Sequence, residues 1–473
     1  MTAIAPEADR PHHTVADRVE RGRRARAQVP RSAHAELGAE APGRDPLALL
    51  AAQDEGRVGE LLPLRYARMA VSPFTFFRGS AVIMAADLAD SPVSGLTVQL
   101  CGDAHLSNFG FFGSPERRLV FDVNDFDETL PGPWEWDLKR LAASLEIAGR
   151  DREFAKAQRR DAVGAAVRAY RTAMHDFAER TNLDVWYAHA DVEQILDQYR
   201  SQLGGTGRKR VGRALAKART RDNLGAMGRF ATVEDGVARI LADPPLIVPA
   251  ADLYSDRVQR EDLEHRIHDL LEGYRASLAP DRRALIEAYR PADIARKVVG
   301  VGSVGTRCYM VLLLGRDAND PLFLQAKEAG PSVLEPYLGA AAQKNCAERV
   351  VVGQRLMQTT GDIFLGWQRV VGMDGADRDF YLRQLRDWKA SVDLEVIEPP
   401  GLVVYAQICG WTLARAHARS GDRVAIAAYL GSSGRFDRAL TEFAEHYADR
   451  NEQDYAALTA AIADGRIAVE PEG

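Results

Sequence analysis

CGDAHLSNFG, residues 101–110, sets an aspartate, a histidine and an asparagine within six positions: Asp103, His105 and Asn108. The preceding LTVQL (96–100) alternates like a strand and delivers Asp103 just past its end. A second acidic stretch, LVFDVNDFDET (119–129), follows a turn-like GSPE and reads as another strand running into Asp125, Asp127 and Glu128. Oxygen donors on two strand-end loops so close in sequence suit a hard divalent cation. The bland alternative is a pair of solvated turns capped by Asp and Asn.

The five-residue step from Asp103 to Asn108 resembles the catalytic loop of kinases. There the aspartate accepts the proton of the acceptor hydroxyl and the asparagine oxygen binds metal. Gly102-Asp103-x-His105-x-x-Asn108 is also similar to the loop of the aminoglycoside and choline kinases, the extra His105 included. The resemblance implies Asp103 and His105 as catalytic residues and Asn108, Asp125 and Asp127 as metal ligands. Glu128 and Asp122 are further candidates, Asp122 equally as a strand cap. Mg²⁺ takes one or two carboxylates plus phosphate oxygens and water, so Asn108 and Asp125 suffice with ATP. Asp137 opens the helical stretch WEWDLKRLAASLEIAGR (134–150), where a kinase aspartate holds the catalytic-loop backbone. Cys101 departs from the pattern, since kinases usually carry histidine there.

GVGSVGT (300–306) is a G-x-G-x-x-G run. A Rossmann loop would open a helix. Here TRCYMVLLL follows, a strand, so the run reads as a β-hairpin turn over phosphates, with Gly300, Gly302, Ser303 and Gly305 at the nucleotide. On PLFLQAKEA, alternation puts Phe323, Gln325 and Lys327 on one face and Leu322, Leu324 and Ala326 on the other. A lysine on an otherwise apolar strand needs partners. The phosphates and a helix glutamate are the natural ones, with Glu348 the first choice and Glu335 the alternative. The basic run GRKRVGRALAKARTR, ending at Arg221, reads as a solvated helix face or as a groove for an anionic substrate.

These parts stand in an unusual order. The glycine loop and Lys327 follow the catalytic loop by about 200 residues, and CGWTLARAHARSG (409–421) is similar to the helix that precedes that loop in antibiotic kinases. The order is that of a circularly permuted kinase. The expected fold is therefore α+β and two-lobed, with a mostly helical large lobe and a small antiparallel-sheet lobe. Its parts are an N-terminal arm over 1–43, disordered or draped on the surface; a catalytic, mostly helical part over 44–290; the sheet lobe over 291–402; and closing helices over 403–473. PLRYARMAVSPFTFFRG, CGDAHLSNFG, FDVNDFDETLPGPWEWDLKRLAAS and VVGQRLMQTTGDIFLGW resemble the bacterial domain of unknown function 2252 family over about residues 20–460, a resemblance that implies membership and no substrate.

Bulk composition narrows the function. A net charge of −6 argues against a general nucleic-acid binder, and 46% apolar residues supply a sizeable core. The four cysteines form no CxxC pair, the start has no apolar signal segment, and no apolar run reaches membrane-spanning length, so a cytoplasmic protein is expected. The expected activity is phosphoryl transfer from ATP, with Mg²⁺, to an unidentified small-molecule hydroxyl acceptor, anionic or neutral. The alternatives are a silent nucleotide-binding pseudokinase, AMP transfer on the same fold, and a metallophosphoesterase, for which the further histidine motifs are missing.

Overall fold

The computed structural model describes residues 13–38, 43–199, 205–234, 236–253, 256–385 and 387–470. Two short antiparallel pairs hold the acidic loops. Strand β1 (Thr97–Leu100) enters the first loop, β2 (Phe109–Gly113) leaves it and pairs with β3 (Leu119–Val123), and β4 (Leu130–Pro133) returns to pair with β1. Both acid-bearing segments are thus closed at their bases by backbone ladders.

A separate sheet has the order β9-β10-β8-β7-β6-β5, antiparallel throughout. It comprises β5 (Ile247–Pro249), β6 (Arg290–Lys297), β7 (Cys308–Leu314), β8 (Pro321–Ala329), β9 (Gly366–Val371) and β10 (Asp377–Gln384). The glycine run connects β6 to β7, so it is the expected hairpin turn. Period-two alternation assigns the faces. Leu322, Leu324 and Ala326 pack with Val311, Leu313 and Leu382 in one cluster, while Phe323 joins Met310 and Leu312 in another. Lys327 and Gln325 project on the Phe323 side, as the alternation of PLFLQAKEA requires.

Ten helices complete the description needed here: α1 (Val15–Gln28), α2 (Pro73–Gly79), α3 (Trp134–Asp151), α4 (Lys156–Glu179), α5 (Asn223–Phe230), α6 (Arg257–Arg275), α7 (Cys346–Met357), α8 (Pro399–Ser420), α9 (Arg423–Leu430) and α10 (Arg435–Ala463). Every residue from Trp134 to Gly149 is buried, charged ones included. A helix buried all round is a central element rather than an amphipathic surface one, and α3 is the axis of the large helical cluster. Helix α8 packs along α4 so closely that a Cβ on Gly410 would stand 2.2 Å from the Ala166 carbonyl oxygen. The end of α8 reaches β1, where Ser420 Oγ accepts the Gln99 N–H at 3.1 Å. Among the described residues, no helix is long and apolar enough to cross a membrane.

One expectation is made definite and another changes. The arm proposed as disordered or draped carries α1, started by a Thr14–Asp17 capping box. It docks on α9, where a Cβ on Gly22 would collide with the Ala425 carbonyl. Ala25 and Gly22 give α1 a small-residue face, a signal hidden by the charge of the rest. Residues 1–12 lie outside the described set. The boundary at 290 also moves: β5 adds to the sheet, and α6 covers one face of it through Leu263, Ile267, Leu270 and Tyr274. The chain from about 247 onward therefore belongs with the sheet. The basic run forms a helix, Gly205–Arg219, with Lys209, Arg213, Lys217 and Arg219 exposed.

If the α4–α8 approach fixes the position of α8, Gly410→Ala should cost about 1–3 kcal/mol through overpacking. Gly228→Ala, on a helix with open space at the same atom, should be neutral or gain about 0.5–1 kcal/mol. Urea denaturation midpoints of the two variants compare them directly. Equal midpoints would remove the close approach as a constraint.

Candidate functional site

The two acidic loops and the glycine hairpin face one another across a cleft of about 160 Å³. Asp103, His105 and Asn108 line it from the first loop, and Asp125, Asp127 and Glu128 from the second. Gly300, Gly302 and Ser303 come from the hairpin, with Lys327, Gln325 and Arg383 from the sheet. Gly305 and Glu348 do not line it.

The first loop is rigid for identifiable reasons. Asp137, in the first turn of α3, accepts the N–H of Cys101 at 2.8 Å and of Gly102 at 3.0 Å. His417 of α8 lies 3.2 Å from the same carboxylate. Gly102 has φ +86°, and a Cβ there would strike the Glu128 carbonyl, so the loop needs glycine at that position. Asn108 donates its amide to the Asp103 carbonyl at 2.8 Å, which leaves its side-chain oxygen as an acceptor. Arg140, one turn beyond Asp137 on α3, donates to Asp103 Oδ1 at 2.9 Å and to the Phe77 carbonyl at 2.6 Å. Its guanidinium lies 3.7 Å from the Phe77 ring centroid.

Burial pushes the Asp103 carboxyl above the ordinary aspartate value, against the pull of Arg140. His105 is held well below the ordinary histidine value by burial and by the charges of Arg78 and Arg140, so its ring is neutral. Its Nδ1 accepts the Ser107 N–H at 3.1 Å, which assigns the proton to Nε2, 3.6 Å from Asp103 Oδ2.

In the second loop, Lys327 meets the carboxylate of Asp127, and its ammonium also donates to Ser303 Oγ at 2.6 Å. The Tyr381 hydroxyl donates to Asp127 Oδ1 at 2.7 Å. This corrects the expected lysine partner, which is neither Glu348 nor Glu335. The reason lies in how α7 is turned. It presents Arg349 inward, where the guanidinium donates to the carbonyls of Asp127, Thr129 and Gly330 at 2.8–2.9 Å. Glu348 contributes its backbone N–H to the Asn345 cap, and Glu335 accepts the Ser332 N–H. Burial would raise the Asp127 pKa, but Lys327 and Tyr381 hold it below the ordinary value. Asp125 is raised by burial and then by the charge of Asp127.

Asp122 does not line the cleft. It is buried on β3 and paired with Arg415 of α8 at 2.5 Å. Asp127, expected as a metal ligand, is taken up by Lys327 and Tyr381. Among the described residues, no three His, Cys, Asp or Glu side chains converge as a ready cation cage.

Four residues at the cleft carried little sequence signal. Arg140 was readable only as an arginine three positions after Asp137 on an otherwise buried helix. Arg78, in the aromatic segment FFRG, has a buried Nε without a hydrogen-bond partner and lines the cleft. Arg383 donates to Gln325 Oε1 and to the Asn124 carbonyl, joining the sheet to the second loop. Tyr381 sits directly opposite Lys327 in the β8–β10 register, a pairing that only topology supplies.

With this geometry in hand, the comparison with known families is specific. Residues 57–461 match the family described as an uncharacterized protein conserved in bacteria (DUF2252), and the chain belongs to that family. No curated protein and no solved structure matches the chain.

Asp137→Ala would leave the buried N–H of Cys101, the half-buried N–H of Gly102 and a buried imidazole without their acceptor. The cost should be about 3 kcal/mol or more, at about 1–3 kcal/mol per stranded group. Asp137→Asn keeps one acceptor oxygen and should cost less. Denaturant unfolding ranks the three proteins, and an alanine variant as stable as wild type would show that the loop is held by other contacts.

Proposed function

We propose that this protein is an ATP- and Mg²⁺-dependent phosphotransferase acting on a hydroxyl group of a small molecule, on a kinase-like fold whose chain order is circularly permuted. The observation that carries this reading is the single cleft shared by Asp103, Asn108, Asp125, Lys327 and the glycine loop, parts widely separated in sequence. Two further features support it. The glycine loop joins the first two of three consecutive strands, β6, β7 and β8, and the lysine lies on the third, as the kinase lysine lies on its third strand. The end of α8 also meets β1, the strand that enters the catalytic loop, as the permuted order requires.

The donor set fits Mg²⁺. Asn108 offers an oxygen because its amide is already used, and Asp125 carries a carboxylate whose charge is opposed by Asp127. A bound Mg²⁺ would neutralise charge on the phosphates. Asp103, oriented by Arg140, receives the acceptor hydroxyl's proton. The acceptor oxygen bonds to the γ-phosphorus as the bond to the bridging oxygen of ADP breaks. Lys327 and the glycine-loop N–H groups hold the phosphates, and Arg78 presents its charge to the same space. The raised Asp103 pKa is in the direction that favours a general base.

Mg-ATP should raise the melting temperature by mass action, since a ligand that binds only the folded state stabilises it. Asp125→Ala should abolish the Mg²⁺-dependent part of that shift. Absence of any shift with wild type at millimolar nucleotide would count against the reading.

Asp103→Asn should keep nucleotide affinity and lose turnover by about 10²–10⁴, the usual worth of a positioned general base. Lys327→Ala should weaken nucleotide binding and slow transfer as well. Affinity and ATP turnover measured side by side separate the two, and wild-type turnover by Asp103→Asn would make Asp103 structural. The mass of a trapped product distinguishes phosphate from AMP.

A further inference from the structure

Arg78 is the penultimate residue of α2 and lines the cleft. Its backbone is closely held. The helix starts at a Ser72–Thr75 capping box. The carbonyls on either side of Arg78 both accept from buried arginines, Phe77 from Arg140 at 2.6 Å and Gly79 from Arg65 at 3.2 Å. The Arg78 carbonyl abuts the glycine hairpin, where a Cβ on Gly302 would stand 3.2 Å from it. The side chain, by contrast, has no acceptor. Its Nε is buried without a hydrogen-bond partner, and among the described residues no hydrogen bond or ion pair reaches the guanidinium. Burial pulls the Arg78 pKa down, against the opposing charge of Asp103. That carboxylate supplies counter-charge but no hydrogen bond, its Oδ1 being taken by Arg140. Other acceptors of the cleft are committed as well: Asp127 to Lys327 and Tyr381, Glu128 to the Val333 N–H at 2.7 Å, and the Gln53 side-chain oxygen to Arg65 at 2.8 Å. Asp125 and Asn108 are the candidate metal donors. Lys327, Arg383 and Arg140 all donate to protein groups, so Arg78 differs from the other cations around the cleft.

We propose that Arg78 binds the terminal phosphoryl group of the nucleotide. The proposal rests on the phosphotransferase reading and adds to it a residue from upstream of the loop that carries Asp103. A buried guanidinium N–H without an acceptor costs free energy, and a planar fork of donors held in this way matches the non-bridging oxygens of a phosphoryl group. Position selects which phosphoryl group. The one in transfer has to lie between the hairpin that holds the nucleotide and the carboxylate that takes the acceptor's proton. Arg78 meets the first through its carbonyl at Gly302 and faces the second across the cleft, where its charge acts on Asp103 and His105. Its N–H groups donate to the non-bridging oxygens, form no bond to phosphorus and take no proton. They stabilise the charge those oxygens carry while the bridging bond breaks and the acceptor bond forms.

The test compares the full chain as wild type, Arg78→Met, which keeps the length without the donors, and Arg78→Lys, which keeps the charge. Melting temperatures are taken without ligand, and affinities for Mg-ATP and Mg-ADP by calorimetric titration. Arg78→Met should melt at or above wild type, because it removes a buried donor that has no protein acceptor. Its Mg-ATP affinity should fall by about tenfold or more, the worth of hydrogen bonds to a charged group. Mg-ADP lacks the terminal phosphoryl group, and its affinity should stay within about threefold, while Arg78→Lys should recover part of the loss for Mg-ATP. Equal losses for the two nucleotides, or an unchanged preference between them, would overturn the proposal. So would a clear fall in the melting temperature of Arg78→Met, or its failure to fold, which would make Arg78 structural. A wild type that binds neither nucleotide sinks the phosphotransferase reading, and tripolyphosphate then decides for Arg78. Tripolyphosphate binding that is lost in Arg78→Met would support Arg78 as the anion-binding residue, and no binding, or binding the variant leaves unchanged, would overturn this proposal too.

Discussion

The carboxylate of Asp137 is the point on which the candidate site depends. It lies on a helix buried along almost its whole length, and it takes two backbone N–H groups from the loop that carries Asp103 and Asn108. The same carboxylate faces His417 on α8. One buried acid therefore joins the central helix, the catalytic-type loop and a helix from the far end of the sequence. A buried charge is tolerated only when its hydrogen-bonding capacity is met, and here the partners that meet it are the groups that need to be held still. Arg140 extends the arrangement by one helical turn and fixes the orientation of Asp103.

A second set of contacts joins the sheet to the acidic turn. Lys327 and Tyr381 project from paired strands onto Asp127, Arg383 reaches the Asn124 carbonyl, and Arg349 of α7 clasps the carbonyls around the turn. These are charge-assisted bonds in a poorly solvated space, where each is stronger than at the surface and where loss of one partner strands the other. The polar lining that would carry chemistry is also what fastens the glycine hairpin opposite the catalytic-type loop.

Much of this was legible in the sequence because it is local. Strand alternation placed Lys327 on the correct face, the G-x-G-x-x-G run followed by a strand identified a hairpin, and the resemblance to kinases put Asp137, at the opening of the helix from 134, against the loop backbone. What was not legible depends on side-chain direction across distant elements. The partner of Lys327 turned out to be Asp127, because α7 shows Arg349 to the interior and not Glu348, and a difference of one residue on a helix is about 100° of rotation. Asp122 looked like part of an acidic cluster, yet it points away to Arg415, a residue nearly 300 positions later. For the N-terminal arm, expected as disordered or draped on the surface, composition left both open, while two small residues make the face by which α1 docks. Those docking partners could not be named from the sequence, since pairing is a property of the assembled fold.

The junction of α8 with β1 carries a consequence for how the protein folds. The loop with Asp103 is held locally by Asp137 and Arg140, but His417 and Ser420, which meet Asp137 and β1, stand 280 and 321 positions beyond their partners. Helix α1 likewise waits for α9 before it has a surface to rest on. Helices α8 and α9 must therefore come back to the first half of the sequence before Asp137 and α1 have all their partners. Contacts between residues so distant in sequence carry a loop-closure cost and are slow to form.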